Sequence, residues 1–473
     1  MKQLFLVMLT AFALLQLACY KDKGNYDYHE VVAPKVTNLD TVYYAFVGDT
    51  LVVKPVVTSN DPNAKFGFAM RIGLIKEGRD TTITGYPLKF YFSLPIDTYP
   101  VRMTITDSSN GMKYFMDFKI QGVTQFTKGA LILSEEGNTS QLTFVKPDST
   151  VMPRIYHSLN GADLPAGPLQ VIDLVKQFIN PQPALGYWVT FTGSDEGGMR
   201  VNTNTLLQMQ SLRANFFDKP AAAKPGYLET SADGVLRGVI NGRLYVGSWQ
   251  TFWGSDVYGY FGAPPIGDYE FYRRVAFNNV IPYGVGYDIK NKQFAAFTNF
   301  GSLAFVGANY QVGPGTAFDP RNIPLDLIHF QQINDGPCYA FGKGSDGILY
   351  ELRFLIAYKG FIEVNPDYKR AFAQSGLITA TTKWAGSRKE VFYFTSGDKV
   401  YRYNPTNQEI KPLITDFGGK AVTMIKVSDD DNTLMAGVDG IVYFLDISTG
   451  KNGDILKKYT GIPGSPVDIT VKK

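Results

Sequence analysis

From about Val32 to Val123 apolar and polar residues alternate in short runs, with no helical period between them. Tyr99, Val101, Met103 and Ile105 alternate with Pro100, Arg102 and Thr104, which is the period of a half-buried strand. Ser108-Ser109-Asn110-Gly111 predicts a hairpin turn, because Asn and Gly tolerate the positive φ it requires. The partner strand then puts Tyr114, Met116, Phe118 and Ile120 on one face. Leu51 to Val57, after a Gly48-Asp49 turn, reads as one further apolar run. These signals predict a β-sandwich over residues 32–124.

From Gly129 onward a longer period takes over. Hairpin-like turns centre on Gly137, Gly197, Gly242, Gly301, Gly347, Gly397 and Gly440, roughly 50 residues apart, close to the period of propeller blades. Related text follows four of them: Gly242-Arg243-Leu244-Tyr245, Gly347-Ile348-Leu349-Tyr350, Gly440-Ile441-Val442-Tyr443 and, with one insertion, Gly397-Asp398-Lys399-Val400-Tyr401. A lone blade cannot bury both of its faces, so a ring is required. The pattern predicts an all-β chain: the sandwich, then a propeller-like domain of about seven blades over 125–473. Val467 to Val471 is a plausible closing strand against the first blade. Unrelated hairpins arranged in two sandwiches are the alternative reading.

Composition narrows the function classes. A chain of 473 residues, 45% hydrophobic, is globular and suits two or three domains. Its 46 basic residues against 43 acidic ones give a formal charge of +3 and no basic arm or stripe, which argues against nucleic acid as partner. The 14% aromatic content favours strands and surfaces that contact carbohydrate or peptide. The one long apolar run lies at the start: Met1-Lys2-Gln3, then Leu4 to Leu17 interrupted only by Thr10 and Gln16, then Ala18-Cys19. That is the pattern of a lipoprotein signal over 1–18, with Cys19 as the lipidated residue. Gln16 stands where such signals usually carry Leu. Residues 19–31 lack apolar periodicity and read as a flexible tether. Cys338 is the only other cysteine, so lipidation of Cys19 leaves no intrachain disulfide.

The tether Cys19-Tyr20-Lys21-Asp22-Lys23-Gly24-Asn25-Tyr26-Asp27-Tyr28-His29-Glu30 resembles the start of mature Bacteroidetes lipoproteins of the PKD-like family. Tyr99 to Asp107 is similar to the penultimate strand of PKD domains. The family's core Trp is missing, and Phe66 or Phe68 is the expected substitute. The resemblance implies an outer-membrane, lipid-anchored protein at the cell surface beside a SusC/SusD-type importer.

Chemistry-bearing motifs are scarce. His29, His157 and His329 are far apart and read as surface or turn residues; no cysteine pair suits zinc. Neither the Gly-x-Ser-x-Gly elbow nor the Ser-x-Asp-x-Gly-x-x-Trp repeat of sialidases occurs. Gly342-Lys343-Gly344-Ser345-Asp346-Gly347 has the letters of a dinucleotide loop but precedes a strand, so it reads as a hairpin turn. Asp429-Asp430-Asp431-Asn432 reads as a solvated turn rather than a calcium loop. The expectation is no catalytic residue, no metal and no cofactor.

The strongest positive signal runs from Trp249 to Tyr272 and includes Phe252, Trp253, Tyr258, Tyr260, Phe261, Tyr269 and Phe271, interleaved with Gly and Pro. It predicts a long loop on one face of the ring. Trp249, Phe252, Trp253, Tyr258, Tyr260 and Tyr269 are the candidate ligand contacts, suited to sugar rings or apolar peptide side chains. The competing reading packs these rings into a plug or against the sandwich. Tyr187-Trp188 reads as blade core.

The expected function is non-catalytic: capture of an oligosaccharide or oligopeptide as an accessory to a SusC/SusD-type importer. A structural docking module of that complex is the alternative, and a glycan hydrolase is a further one.

Overall fold

The computed structural model describes residues 33–174, 186–248, 257–279, 283–298, 303–304, 316–358 and 362–472, to which all structural statements here refer. The chain divides into two compact units, up to Gly122 and from Val123 onward.

The first unit is a sandwich. Its five-stranded sheet runs Val42–Phe46, Lys113–Val123, Thr98–Asp107, Phe66–Leu74, Arg79–Thr84 in spatial order. The alternation sets its inner face: Val101, Met103 and Ile105 are buried with Phe118 and Ile120 from the partner strand. The hairpin closes with Gly111 at φ 76°, and the Asp107 carboxylate accepts the Ser109 N–H at 2.9 Å and the Ser109 hydroxyl at 2.7 Å.

Two expectations about this unit change. The run Leu51–Val57 is split between two sheets: Thr50–Val53 pairs with Leu88–Tyr91, and Val56–Thr58 pairs with Lys35–Thr37. Pro55, which has no N–H to give a ladder, falls at the break. Phe66 and Phe68 sit half-buried at the core's rim, whereas Phe92 is fully buried and meets Phe90 and Tyr99 edge-on.

The second unit is a seven-bladed ring. Blade 1 combines Gly129–Glu136, Thr139–Val145 and Val151–Met152 with the terminal strand Ser465–Lys472, which takes the innermost place. The innermost strands of blades 2 to 7 are Pro168–Leu174, Pro225–Thr230, Phe271–Phe277, Leu325–Gln332, Trp384–Ser387 and Met424–Val427. Ala130↔Val471 and Ile132↔Ile469 are cross-strand partners, so the last strand closes the circle onto the first.

The turn glycines share one structural place. Gly137, Gly197, Gly242, Gly347, Gly397 and Gly440 all have positive φ and lie in the hairpin between the second and third strands of their blades. Gly301 lies outside the described residues. Blade 4 makes the corresponding turn between Tyr283–Asp288 and Gln293–Thr298, with Lys292 at φ 53° in the left-handed position. The Gly342–Gly347 stretch is indeed a hairpin: the Gly347 N–H donates to Gly344 O at 3.0 Å, and the Gly344 N–H to Ile348 O at 2.9 Å.

Each blade interface has its own apolar cluster. Leu142 and Tyr187 belong to the one between blades 1 and 2, Trp188 and Leu228 to the next, and Leu244 and Phe297 to the third. Tyr287 and Phe354 fill the fourth, Phe341 and Phe394 the fifth, Leu434 the sixth, and Ile132 and Phe444 the seventh. Burying one such phenylalanine fully contributes about 1.5–3 kcal/mol. That burial requires a neighbouring blade, which is the physical reason for a ring. No helix of the described residues is long and apolar enough to cross a membrane.

Candidate functional site

Side chains from non-neighbouring blades sense one another's charge only near the ring axis. Lys426 of blade 7 is within electrostatic reach of Tyr227 in blade 3 and Asp173 in blade 2, and Lys383 at the start of blade 6 is within reach of Arg273 in blade 4 and Glu135 in blade 1. A ring of blades surrounds a central channel, and these couplings run across it.

One part of the channel is structural. Asp468 of the closing strand accepts the Val171 N–H at 2.9 Å and the Lys426 ammonium at 2.9 Å, and Lys426 also donates to Ile469 O at 2.7 Å. This ties blades 1, 2 and 7. Gln170 ties blade 2 to blade 3 by a paired exchange with the Leu228 backbone, at 3.2 and 2.9 Å. Glu229 is held by Arg237 at 2.7 Å, and that guanidinium also donates to Asn279 Oδ1 at 2.8 Å. Burial pushes the Asp173 carboxyl up, only partly opposed by the Thr470 hydroxyl at 2.6 Å. Its other oxygen is buried from solvent with no hydrogen-bond partner. A raised carboxyl beside a second carboxylate has the ingredients of acid–base chemistry, but the free Asp173 oxygen is out of a substrate's reach.

The other part is cationic. Arg273 is exposed on its inner strand, and Arg274 stacks its guanidinium 4.2 Å from the Tyr227 ring centre. Among the described residues Arg273, Arg274 and Lys383 form no ion pair with a carboxylate. Burial first and Arg273 second hold Lys383 below the usual lysine range, against the partial offset of Glu135. His329, expected at the surface, is instead buried at 5% exposure, its ring stacked on Trp384 at 5.2 Å. Burial, then Arg274 and Arg273, keep it well below the ordinary histidine range, so it stays neutral. None of these residues was marked by a motif; the one sequence signal was a basic pair, Arg273-Arg274, on a strand bordered by aromatics.

Of the six aromatic candidates, Trp249, Phe252 and Trp253 lie outside the described residues, as does Cys19. Tyr258 donates to Asp233 O at 2.7 Å, and burial pushes its phenol up to about 12. Tyr260 is half-buried against Phe217, with ring centres 5.6 Å apart. Tyr269 is buried at 3% exposure, its ring 3.7 Å from the Arg243 guanidinium carbon. Arg243 also donates to Gly267 O, Tyr269 O and Pro265 O at 2.8–3.0 Å, fixing the segment to blade 3. Phe261 bridges Gly247 beside the outermost strand of blade 3, Arg243–Val246. The described part of this segment therefore packs its own rings onto the ring's wall, and Tyr269 is no solvent-facing contact. Tyr187 and Trp188 are blade core.

The acidic turn and a groove in the sandwich both resolve locally. Asp431 accepts bonds from Ser387 Oγ and Arg388 N at 2.9 Å and from Arg388 Nε at 2.7 Å, so the acidic turn clamps blade 7 to blade 6. In the sandwich, a groove of about 590 Å³ is lined by Arg71, Asp80, Arg102 and Asp117, where each arginine already pairs with an aspartate. Among the described residues no group of three or more His, Cys, Asp or Glu side chains could hold a metal.

Residues 19–168 match the PKD-like family. The PKD-like match spans the sandwich and continues through the three N-terminal strands of blade 1. No curated protein matches the chain. Among solved structures it is similar to a quinonprotein alcohol dehydrogenase-like protein from Bacteroides thetaiotaomicron, at 12% identity and a TM-score of 0.44, over 93% of this chain and 99% of that one. It is similar to a candidate 6-phosphogluconolactonase from Bacteroides fragilis at 12% identity and a TM-score of 0.44, covering 73% and 98% of the two chains. The extracellular domain of a candidate one-component system from B. thetaiotaomicron is similar at 10% identity and a TM-score of 0.38, over 94% and 71%. Likeness at this level carries no chemistry across.

Proposed function

We propose that this chain is a non-catalytic surface lipoprotein, anchored through Cys19 in the outer membrane, whose propeller captures an oligosaccharide or oligopeptide for a SusC/SusD-type importer. The observation that supports the binding reading is basic and aromatic surface on the inner strands: Arg273 is exposed, Arg274 stacks on the partly exposed Tyr227 ring, and among the described residues neither forms an ion pair with a carboxylate, although Glu229 lies within electrostatic reach of Arg274. Cationic and aromatic groups held on or beside rigid inner strands suit recognition, because a preorganised site loses little freedom on binding. The lipid anchor and the importer follow from the lipoprotein-like start and its family resemblance.

The test is purification of tagged full-length chain in mild detergent from its native membrane, followed by identification of what accompanies it. Co-purification of a TonB-dependent barrel and its lid lipoprotein supports the reading. Recovery of the chain alone, in equal yield, removes the importer from it. Docking without ligand capture is the outcome if the complex forms but no glycan or peptide binds.

A further inference from the structure

Beyond the propeller, the sandwich unit carries a groove whose chemistry is independent of the capture role proposed above. The groove is cut into the outer face of the five-stranded sheet. Its lining residues Arg71, Gly73, Pro100, Arg102, Asp117 and Lys119 alternate with Ile72, Val101, Phe118 and Ile120, which are buried on the inner face. The cross-strand register explains the hollow. The ladder between Phe66–Leu74 and Thr98–Asp107 ends at Ile72↔Val101, one position short of Gly73 and Pro100. Proline has no N–H for a further rung, and Gly73 leaves room for its ring: a Cβ there would stand 3.2 Å from Pro100 Cγ. The floor is therefore flat and carries no polar side chain.

Two ion pairs flank that floor. Arg102 donates through Nε and Nη2 to the two oxygens of Asp117 at 2.8 and 2.9 Å. Arg71 donates through Nε at 2.8 Å, and through Nη2, to Oδ2 of Asp80, which leaves Asp80 Oδ1 outside the pair. These four side chains keep 36–65% of their surface open, so their remaining donors and acceptors face the groove's solvent. A guanidinium only donates and a carboxylate only accepts, and each pair sets the two side by side. A sugar hydroxyl does both, so neighbouring hydroxyls complement such a pair. An anion would meet the aspartates and a cation the arginines, which favours a neutral ligand. Phe115, 58% exposed on the same face, has its ring centre 6.0 Å from the Arg102 guanidinium carbon and offers an apolar surface to sugar C–H groups. The volume of about 590 Å³ lies within the range of about 300–1,000 Å³ usual for small-molecule sites. We infer that the outer face of the sandwich binds a neutral oligosaccharide, with Arg71–Asp80 and Arg102–Asp117 on its hydroxyls and Phe115 against a sugar ring.

The experiment is calorimetric titration of the full-length chain in mild detergent with maltotetraose, cellotetraose, mannotetraose, galactotetraose, tetragalacturonate and tetra-alanine. The expected result is binding of at least one neutral tetrasaccharide, ten-fold or more tighter than tetragalacturonate and little changed between 50 and 500 mM NaCl. Asp80→Ala and Asp117→Ala should each weaken it at least five-fold with melting temperatures unchanged, because exposed ion pairs add little to stability. Failure of every neutral glycan to bind, or full affinity in both variants, overturns the assignment. Tetra-alanine binding that is lost in the same variants makes the groove a peptide site and overturns the sugar. If Arg273→Gln weakens glycan binding while both sandwich variants leave it intact, the propeller captures the ligand and the groove does not. If the sandwich variants weaken it and Arg273→Gln has no effect, the groove is the site and capture by the propeller falls.

Discussion

Removing the charge of Asp468 while keeping its shape tests the account of ring closure. In Asp468→Asn the Val171 N–H keeps an acceptor, but Lys426 loses its counter-charge. At 2.9 Å the pair is worth about 1.4 kcal/mol at the dielectric of water and about 5.7 at an effective value of 20. The Lys426 side chain keeps 37% of its surface open, against 13% for Asp468, so the upper figure must be discounted for channel water, to about 2 kcal/mol. For a unit of about 350 residues that shifts the melting temperature by about 3 °C.

The pH dependence makes the test specific. Burial by itself would lower Lys426, and the Asp468 charge outweighs it, holding the ammonium above its usual range. A raised lysine contributes stability that is fully present below the unfolded value of about 10.4 and is lost as pH rises through the folded value. In the variant, burial wins and the folded value drops below the unfolded one. The penalty is then largest at neutral pH and shrinks as pH rises through the variant's lowered folded value, where its buried lysine sheds the proton while the wild-type ammonium stays charged. Thermal unfolding followed by circular dichroism at pH 7 and pH 10 reads this directly. A gap that is absent at pH 7, or undiminished at pH 10, refutes the reasoning. Adding Lys426→Met to the variant should recover most of the loss.

Three other outcomes follow from the structure. Asp431→Ala removes the acceptor for Ser387 and Arg388 between blades 6 and 7 and should destabilise by about 1–3 kcal/mol in urea unfolding. Burial alone would raise this carboxyl, but the bonds from Arg388 and Ser387 hold it below the usual range; the stabilisation is thus present above about pH 4 and lost as pH falls through the folded value, and a loss unchanged at acid pH counts against the clamp. Asp173 behaves oppositely: its folded carboxyl is raised, so wild-type stability falls as pH climbs from about 4 through the folded value, and Asp173→Asn should melt higher at pH 7.5 but not at pH 4. Finally, Cys338 is fully buried and its thiol is pushed up by that burial, so in a Cys19→Ser chain Ellman's reagent at pH 8 should react only as fast as the protein unfolds.

How much of this was legible in the chain depends on the range of the interactions involved. Strand alternation and turn chemistry are local, so Tyr99 to Ile105, the Asn110-Gly111 turn and the blade hairpins could be read directly, and seven blades with a C-terminal closing strand emerged from their spacing. Gly301 was misleading because blade 4 makes its turn with Lys292 in a left-handed conformation, which leaves no glycine to mark it. Leu51–Val57 looked like one strand because hydrophobicity does not reveal which sheet a strand joins.

The aromatic segment shows the limit more clearly. Its composition was visible, but whether Tyr258 and Tyr269 face solvent depended on Asp233 and Arg243, which meet them only in the folded blade. The axial site was less legible still. Arg273, His329 and Asp468 sit far apart in the chain on three inner strands, and Lys383 immediately precedes a fourth, each surrounded by ordinary strand text. The sequence by itself determined the all-β class, the two-part layout and the blade repeat, because short-range sterics and burial periodicity write those locally. Only the closed ring decided which charges meet at the axis and which remain without a partner, because proximity there is set by the curvature of seven packed sheets rather than by neighbours along the chain.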